Sequence, residues 1–217
     1  YPSGTVGFKL NQWRTPIDFD AVGDGTTDDS DAIELAMESG YAIDWLDKTY
    51  KVTREIAPTL TGPIKWRSSG ATVKMVSASE IRSVLRLAVG PYSHRIDGEF
   101  NIDCNNDAYT GFYAENSTGS TFPTDYSDFY ADGLRVKNGY RASTTHTGGD
   151  GIHIRGVWRV AELVRPVVEN MVMATGAGVA GSQGIFGITF SGNASGDPVN
   201  MEVISPYVST IKSEDGT

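Results

Sequence analysis

Three short segments of the chain repeat one pattern, a glycine followed by apolar residues at alternate positions. They read GFYAEN at 111–116, GIHIRG at 151–156 and GITFSG at 187–192. Similarity at a nearly fixed spacing is typical of folds in which units stack on one another, because no single unit buries its apolar side alone. The unit here contains short strands and turns, so the repeat predicts a stack of strands.

Two further pairs of segments echo each other on either side of these repeats. AELVRPVVEN at 161–170 resembles MEVISPYVST at 201–210. YSHRIDGEFNID at 92–103 resembles YSDFYADGLRVK at 126–137, with one residue inserted. Together the echoes predict an all-β fold, a parallel β-helix with turns of roughly 30 to 40 residues. The last repeat stops without a closing segment, so we expect the chain to be a fragment of a longer β-helix.

A helical pattern is present only around 30–38. Ile33, Ala36 and Met37 share one face at helical spacing, and Gly40 follows where helices commonly end. Asp28 and Asp29 stand where an N-cap and a first-turn acid belong, because carboxylates accept N–H groups and favour the positive end of the helix dipole. We predict a helix over 28–38 that buries its apolar face across one end of the β-helix.

The acidic stretch DFDAVGDGTTDDSDAI at 18–33 admits three interpretations: a calcium loop, a phosphate loop or a structural cap. An EF-hand loop places its oxygen ligands in an order that this stretch does not follow. A Walker loop ends in GK[ST], which is absent here. The structural cap is therefore the favoured interpretation.

The same stretch resembles the entry motif of the pectate-lyase-like superfamily, above all that of bacteriophage tailspike proteins. In that family the helix closes the N-terminal end of a right-handed parallel β-helix. The resemblance therefore implies a right-handed parallel β-helix with an N-terminal capping α-helix. On this basis the chain divides into a lead-in segment at 1–17, a capping motif with the helix and first strands at 18–55, and β-helix turns at 56–217.

The resemblance also implies a function. Phage tailspikes with this fold commonly bind and cleave bacterial surface polysaccharide. We therefore expect a capsular or exopolysaccharide partner, a homotrimer when the protein is full length, and a place in the virion tail with action at the host cell surface. Two alternatives stay open: a non-catalytic structural or receptor-binding β-helix of a tail fibre, and a secreted bacterial pectate-lyase-like enzyme.

Alternation within the repeats predicts which side chains face outward, because successive residues of a strand point to opposite faces. The apolar residues at 112, 114, 152, 154, 188 and 190 should face the core. With VLRLA at 84–88 as the preceding turn, one outward stripe reads Arg86, Tyr113, His153 and Thr189. The next outward stripe reads Ala88, Glu115, Arg155 and Ser191. This face is suited to sugars, since aromatic rings cover C–H groups while Arg and Glu bind hydroxyls or carboxylates. It is equally consistent with a solvated face or a subunit interface.

From this face we predict a site. The predicted substrate-binding residues are Arg86, Tyr113 and Arg155, and the predicted catalytic residues are Asp150, Glu115 and His153. TGGDGIHIRG at 147–156 resembles the NTDGI motif of polygalacturonases, whose Asp is catalytic, although Gly148 replaces the Asn and the companion DD and GHG motifs are absent. Alternative candidates for the catalytic acid are Asp103, Asp107, Asp125, Asp128 and Asp132. We expect the loops at 104–110, 116–127, 139–150 and 173–184 to wall the groove.

Two reactions stay open for such a site. Glycoside hydrolysis needs two carboxyl groups about 5 to 9.5 Å apart. A lyase needs a base near the C5 proton of the sugar and a cation or Arg that neutralises the uronate. The residue types on this face are compatible with either reaction.

Composition limits the partners. The chain has 18 Lys and Arg against 27 Asp and Glu, and its net charge of −9 argues against nucleic acid as a partner. No apolar stretch approaches the length of a transmembrane helix, so no membrane insertion is predicted. His94, His146 and His153 lack metal-ligand spacing, so we predict no catalytic metal and no cofactor.

Overall fold

The computed structural model describes residues 13–88, 92–116, 128–142, 149–156, 158–173, 185–192 and 201–213. A 3₁₀ turn at Pro16–Phe19 and the helix α1 (Ser30–Glu38) accompany the strands. In chain order the strands are β1 (Trp13–Arg14), β2 (Asp24–Asp28), β3 (Ala42–Asp44), β4 (Thr49–Val52), β5 (Lys65–Arg67), β6 (Thr72–Met75), β7 (Ile81–Ala88), β8 (His94–Asp97), β9 (Phe100–Asp103), β10 (Ala108–Asn116), β11 (Asp128–Asp132), β12 (Leu134–Arg141), β13 (Gly149–Gly156), β14 (Val160–Val164), β15 (Val167–Met173), β16 (Ile185–Ser191), β17 (Met201–Ile204) and β18 (Tyr207–Ser213).

Within the described part of the chain, these strands form three parallel sheets. The first sheet runs β1-β3-β5-β8-β11-β14-β17, the second β2-β4-β6-β9-β12-β15-β18, and the third β7-β10-β13-β16. The chain visits the three sheets in the same order on each pass, which makes the fold a parallel β-helix and confirms the predicted class. Successive strands of the first sheet begin roughly 23 to 41 residues apart, so some turns are shorter than predicted.

Helix α1 occupies the position of a third-sheet strand in the first turn. In the second turn the segment at 56–59 holds that position, with Ile56 bridged to Leu85 of β7. Glu34 and Glu38 of α1 accept hydrogen bonds from the backbone N–H groups of Ala57 (3.1 Å) and Thr59 (2.8 Å). The helix therefore lies directly beside this column of strands, at the end where the chain enters the β-helix.

The buried face of α1 agrees with the sequence prediction, and its start does not. Ile33 is 0% exposed and joins the same apolar core as the strands, together with Ala36 and Met37. Gly40 follows the helix with a φ of 73°, the left-handed conformation expected after a helix end. The helix begins at Ser30 and not at residue 28, because Asp28 still belongs to β2.

The carboxylates of the entry stretch bind backbone and hydroxyl groups. Asp29 is buried, and its two oxygens accept the N–H groups of Val22 (2.6 Å) and Gly23 (3.1 Å) and not the N–H groups of the helix. Asp28 instead accepts the N–H of Ser30, the first helical residue, at 3.1 Å. These contacts support the structural-cap interpretation: Asp28 binds a helix N–H as predicted, whereas Asp29, at the N-cap position, binds the entry segment with its carboxylate.

The register of the three repeats is the predicted one. Phe112 pairs with Ile152, and Ile152 pairs with Ile188 in the next turn. Phe112, Ala114, Ile152 and Ile154 are buried, while Ile188 and Phe190 are partly buried against the same core. The two other echoes are also in register, since Glu162 pairs with Glu202 and Phe129 with His94.

Several predicted loop residues belong to strands instead. Residues 108–110 lie in β10, 139–141 in β12, and 149–150 in β13. Residues 116 and 173 are the last residues of β10 and β15, and residues 104–107 and 142 lie outside the strands. The remaining parts of the predicted walls, at 117–127, 143–148 and 174–184, lie outside the described residues. The sheets also run through the boundary drawn at residue 55, because β3 and β4 pair with β5 and β6.

Candidate functional site

A row of glycines in β10, β13 and β16 of the third sheet decides where the site residues point. A Cβ atom added to Gly151 would lie 2.3 Å from Val168 Cγ1, and one added to Gly111 would lie 2.2 Å from Val136 Cγ1. Both valines are buried, so each glycine faces the core at the corner between the second and third sheets. The next residue, Ile152 after Gly151, faces the core as well. Two consecutive inward residues break the strand alternation.

This break places Asp150 on the outer side of the third sheet. Strict alternation would turn Asp150 inward, since it stands two residues before the buried Ile152. Instead, Asp150 Oδ2 lies 2.8 Å from Nδ1 of the outward-facing His153. The Gly151 bend is therefore the reason that an aspartate and a histidine three residues apart come together.

A chain of hydrogen bonds continues from this pair into the next turn of the β-helix. The hydroxyl of Thr189 donates to the second oxygen of Asp150, and Nε2 of His153 lies 2.8 Å from Ser191 Oγ. A carboxylate only accepts hydrogen bonds, so Nδ1 of His153 carries the proton and Nε2 accepts from the Ser191 hydroxyl. Asp150 is 6% exposed, so its orientation is held by burial and by these partners.

Tyr113 lies beside the histidine on the outward face and is nevertheless buried. It belongs to the outward stripe, in register with Arg86 and His153, yet it is only 4% exposed. Its ring centroid lies 5.0 Å from that of His153, and the guanidinium of Arg86 lies 5.9 Å from the Tyr113 centroid. Tyr113 therefore stands in the predicted outward stripe, but its neighbours on the same face cover the ring.

The hydroxyl of Tyr113 binds two side chains of the second predicted stripe, Glu115 and Arg155. It donates to Glu115 Oε2 at 3.1 Å and accepts from Arg155 Nη1 at 3.3 Å. Burial raises the pKa of Tyr113, while the hydrogen bond to Tyr113 raises the pKa of Arg155. Arg155 Nη1 also lies 3.6 Å from Glu115 Oε1, so the two side chains form an ion pair between adjacent strands.

A cavity of about 730 Å³ opens over this part of the third sheet. Four of the six predicted site residues line it: Tyr113, Asp150, His153 and Arg155. Arg86 and Glu115 are not among the described lining residues, and Arg86 instead lies 3.8 Å from Glu55. The predicted site is therefore largely brought together, with two members at its margin.

Sequence reasoning missed other residues that line the cavity. Arg82 of β7 lies 5.6 Å from the Tyr113 ring, and Thr189, Ser191 and Phe186 contribute from β16. Thr189 and Ser191 stood in the predicted outward stripes but received no role. The strand register is the one sequence-derived feature that points to Ser191. His153 pairs with Thr189 of β16, and Ser191 lies two residues further along the same strand, on the same face.

The remaining candidate acids lie elsewhere or outside the described residues. Asp128 and Asp132 bind Arg159 and Arg165 on the first sheet, and Asp103 pairs with Lys137 on the second. Asp107 of the turn before β10 accepts the N–H of Ser77 at 3.2 Å. Asp125 is outside the described ranges.

The other two histidines are likewise apart from the site. The buried His94 accepts the backbone N–H of Ile64 through Nδ1 at 3.2 Å, and His146 is outside the described ranges.

No group of three or more His, Cys, Asp or Glu in the described segments is arranged to hold a metal ion. None of the helices in those segments has the length and apolar character needed to cross a membrane.

Comparisons with known proteins extend the description of the fold. No family model and no curated protein matches the chain. Among solved structures, the chain is similar to ORF18 of Geobacillus virus E2, at a TM-score of 0.50 and 13% identity over 94% of this chain. It also matches the pre-mature gene product 12 of bacteriophage phi29, at a TM-score of 0.40 and 15% identity over 87% of this chain. This chain spans 44% and 33% of the lengths of those two chains, and the likeness to ORF18 is one of fold.

Proposed function

We propose that the third-sheet cavity binds and cleaves a bacterial surface polysaccharide, capsular or exopolysaccharide, as part of a phage tailspike. The observation that carries the proposal is the contact of Asp150 with His153 inside a cavity that Arg82 and Arg155 line. The entry motif at 18–33 and the likeness in fold to a phage protein support the tailspike assignment. The assignment includes the homotrimer, the virion tail and action at the host cell surface.

The geometry favours a lyase over a hydrolase. Hydrolysis requires one carboxyl group that gives a proton and a second that attacks or activates water. Here Asp150 is held by His153 and Thr189, and Glu115 is held by Tyr113 and Arg155. Each carboxyl group is bound by two protein partners, whereas Nε2 of His153 binds only the Ser191 hydroxyl, which a substrate can replace.

In the proposed reaction His153 is the base. Its Nε2, with the substrate in place of Ser191, removes the C5 proton of a uronic acid, and Asp150 stabilises the imidazolium that forms. The guanidinium groups of Arg82 and Arg155 bind the uronate carboxylate and offset the charge that develops beside it. The bond between C4 and the glycosidic oxygen then breaks, the leaving oxygen takes a proton from the His153 imidazolium, and an unsaturated sugar remains.

The test uses purified uronate-containing and neutral capsular polysaccharides with the full-length protein. We expect new reducing ends together with ultraviolet absorbance from unsaturated uronate on the acidic polysaccharides. His153→Ala should lower the cleavage rate about 10²- to 10⁴-fold, the usual contribution of a general base. Asp150→Asn should lower cleavage while binding to the polysaccharide survives, because the amide keeps the shape of the side chain.

A matched pair of arginine variants checks the substrate class. Arg155→Ala should weaken binding of the acidic polysaccharide, while Arg135→Ala, at an ion-paired position on the second sheet, should leave binding unchanged. Reducing ends without the absorbance would make the enzyme a hydrolase. Binding without any cleavage would identify a receptor-binding β-helix, and absence of binding to all polysaccharides would reject the proposal.

A further inference from the structure

The Asp150, His153 and Ser191 side chains form the hydrogen-bond order of a serine acyl-transfer site. Asp150 Oδ2 lies 2.8 Å from His153 Nδ1, and His153 Nε2 lies 2.8 Å from Ser191 Oγ. In such sites the carboxylate fixes the tautomer, the imidazole accepts the hydroxyl proton, and the hydroxyl oxygen attacks a carbonyl carbon. Both distances are within the range in which a proton is transferred between positioned groups.

Paired strands hold the Asp150, His153 and Ser191 side chains in position. Asp150 and His153 belong to β13, and Ser191 belongs to the adjacent strand β16, where it pairs with Arg155. Thr189 holds the second oxygen of Asp150, so the carboxylate cannot rotate without losing a hydrogen bond. Functional groups on paired strands keep their geometry better than groups on loops.

We propose that Ser191 is a nucleophile and that this site hydrolyses carboxylic esters of alcohols. This ester hydrolysis is a separate activity from cleavage of the polysaccharide chain. Only the expectation that the alcohol is a sugar hydroxyl rests on the function proposed above. The cavity has a part suited to each half of such an ester. Phe186, which is 45% exposed and pairs with Asp150, offers apolar contact to the acyl group, and Arg155, the register partner of Ser191, adds a positive charge to the same cavity.

The reaction proceeds in two balanced steps. Ser191 Oγ bonds to the ester carbonyl carbon as its proton moves to His153 Nε2, and that proton then passes to the alcohol oxygen as the carbon–oxygen bond breaks. The acyl group remains on Ser191. Water then attacks the acyl carbon, gives its proton to His153 and releases the carboxylic acid, while Ser191 recovers its proton.

The experiment measures ester cleavage and covalent labelling of the full-length protein. We expect release of nitrophenol from 4-nitrophenyl acetate and labelling of Ser191 by a fluorophosphonate, located by mass spectrometry of the labelled peptide. Ser191→Ala should reduce ester cleavage to the uncatalysed background, and His153→Ala should reduce it about 10²- to 10⁴-fold. Ser69→Ala, at an exposed serine in the turn before β6, is the matched control and should leave both readouts unchanged.

Two results would overturn the inference. The first is ester cleavage that persists in Ser191→Ala but disappears in His153→Ala, because the imidazole would then attack directly. The second is absence of both labelling and ester cleavage in wild-type protein whose thermal melting shows that it is folded. Labelling of the wild type decides the question even where Ser191→Ala does not fold.

The inference and the proposed function fail separately. Wild-type protein that shortens an acidic polysaccharide without labelling or ester cleavage retains the proposed function and loses the serine nucleophile. Wild-type protein that is labelled and cleaves 4-nitrophenyl acetate, but neither binds nor shortens any polysaccharide, retains the serine nucleophile and loses the proposed function. Release of a carboxylic acid from an O-acylated polysaccharide by the labelled enzyme would support both.

Discussion

Replacing Gly151 with alanine tests the bend on which the site depends. The added Cβ would lie 2.3 Å from Val168 Cγ1 and 2.6 Å from the carbonyl oxygen of Gly187. Neither contact is tolerated without movement, and the second involves backbone of the neighbouring strand. We expect a loss of about 2 to 3 kcal/mol in the free energy of unfolding, the upper part of the usual range for overpacking a core.

Urea denaturation and thermal melting measure this loss. One kcal/mol corresponds to about 2 to 4 °C in melting temperature for a chain of this size. Gly62→Ala is the matched control, because a Cβ there meets no atom within 4 Å. We expect that control to change the free energy of unfolding by less than about 0.5 kcal/mol, or to stabilise the fold slightly.

A second substitution separates the two contacts. Val168→Ala removes the side chain that Gly151→Ala would strike, so the double variant should be more stable than the sum of the two single effects predicts. The recovery should be partial, since the contact with the Gly187 oxygen remains. Equal stability of Gly151→Ala and the Gly62→Ala control, with His153-dependent activity intact, would refute the account of the bend.

Three further predictions concern the entry motif and its helix. Asp29→Ala should cost about 1.5 to 3 kcal/mol by urea denaturation, the value for a hydrogen bond to a charged group, because it removes the acceptor of two backbone N–H groups; a cost below 0.5 kcal/mol would contradict this role. Ile33→Ala should cost about 2 to 5 kcal/mol, whereas Leu35→Ala on the exposed side of α1, where Leu35 is 56% exposed, should cost far less; similar costs would mean that the helix does not pack as described. Burial alone would raise the pKa of Asp28, but hydrogen bonds from Ser30 and Thr53 outweigh it and lower that pKa. Its contribution to stability is therefore present above the ordinary Asp pKa and is lost as the pH falls through the lowered value, so Asp28→Asn should flatten the acid limb of unfolding free energy against pH, and an unchanged limb would exclude this role.

The oligomeric state is a separate prediction. The tailspike resemblance leads us to expect that the full-length protein sediments as a trimer. A monomer in analytical ultracentrifugation of the full-length chain would remove the trimer from the proposal without affecting the chemistry of the cavity.

Much of the fold followed from the sequence because a β-helix repeats its local rules. Three successive turns place a glycine and two alternating apolar residues at equivalent positions, so aligning these three segments was enough to pair Tyr113 with His153 and Glu115 with Arg155. The helix position followed in the same way, since the spacing of Ile33, Ala36 and Met37 and the following Gly40 depends only on local geometry.

The site depended on contacts that the repeat does not encode. Sequence alternation gave no reason to turn Asp150 toward His153, because the bend at Gly151 arises only when the corner packs against Val168 of the second sheet. Ser191 stood in the second predicted stripe, but its contact with His153 of the first stripe runs diagonally between adjacent turns.

Burial was likewise decided by tertiary structure. Tyr113 stands at an outward position of its strand, and only the side chains that gather around it from β7 and β13 remove it from solvent. The sequence by itself therefore determined which residues lie in line along the sheets, because strand period and repeat length are local properties. The tertiary structure decided which of those residues touch, because bends and diagonal contacts depend on how whole turns pack against one another.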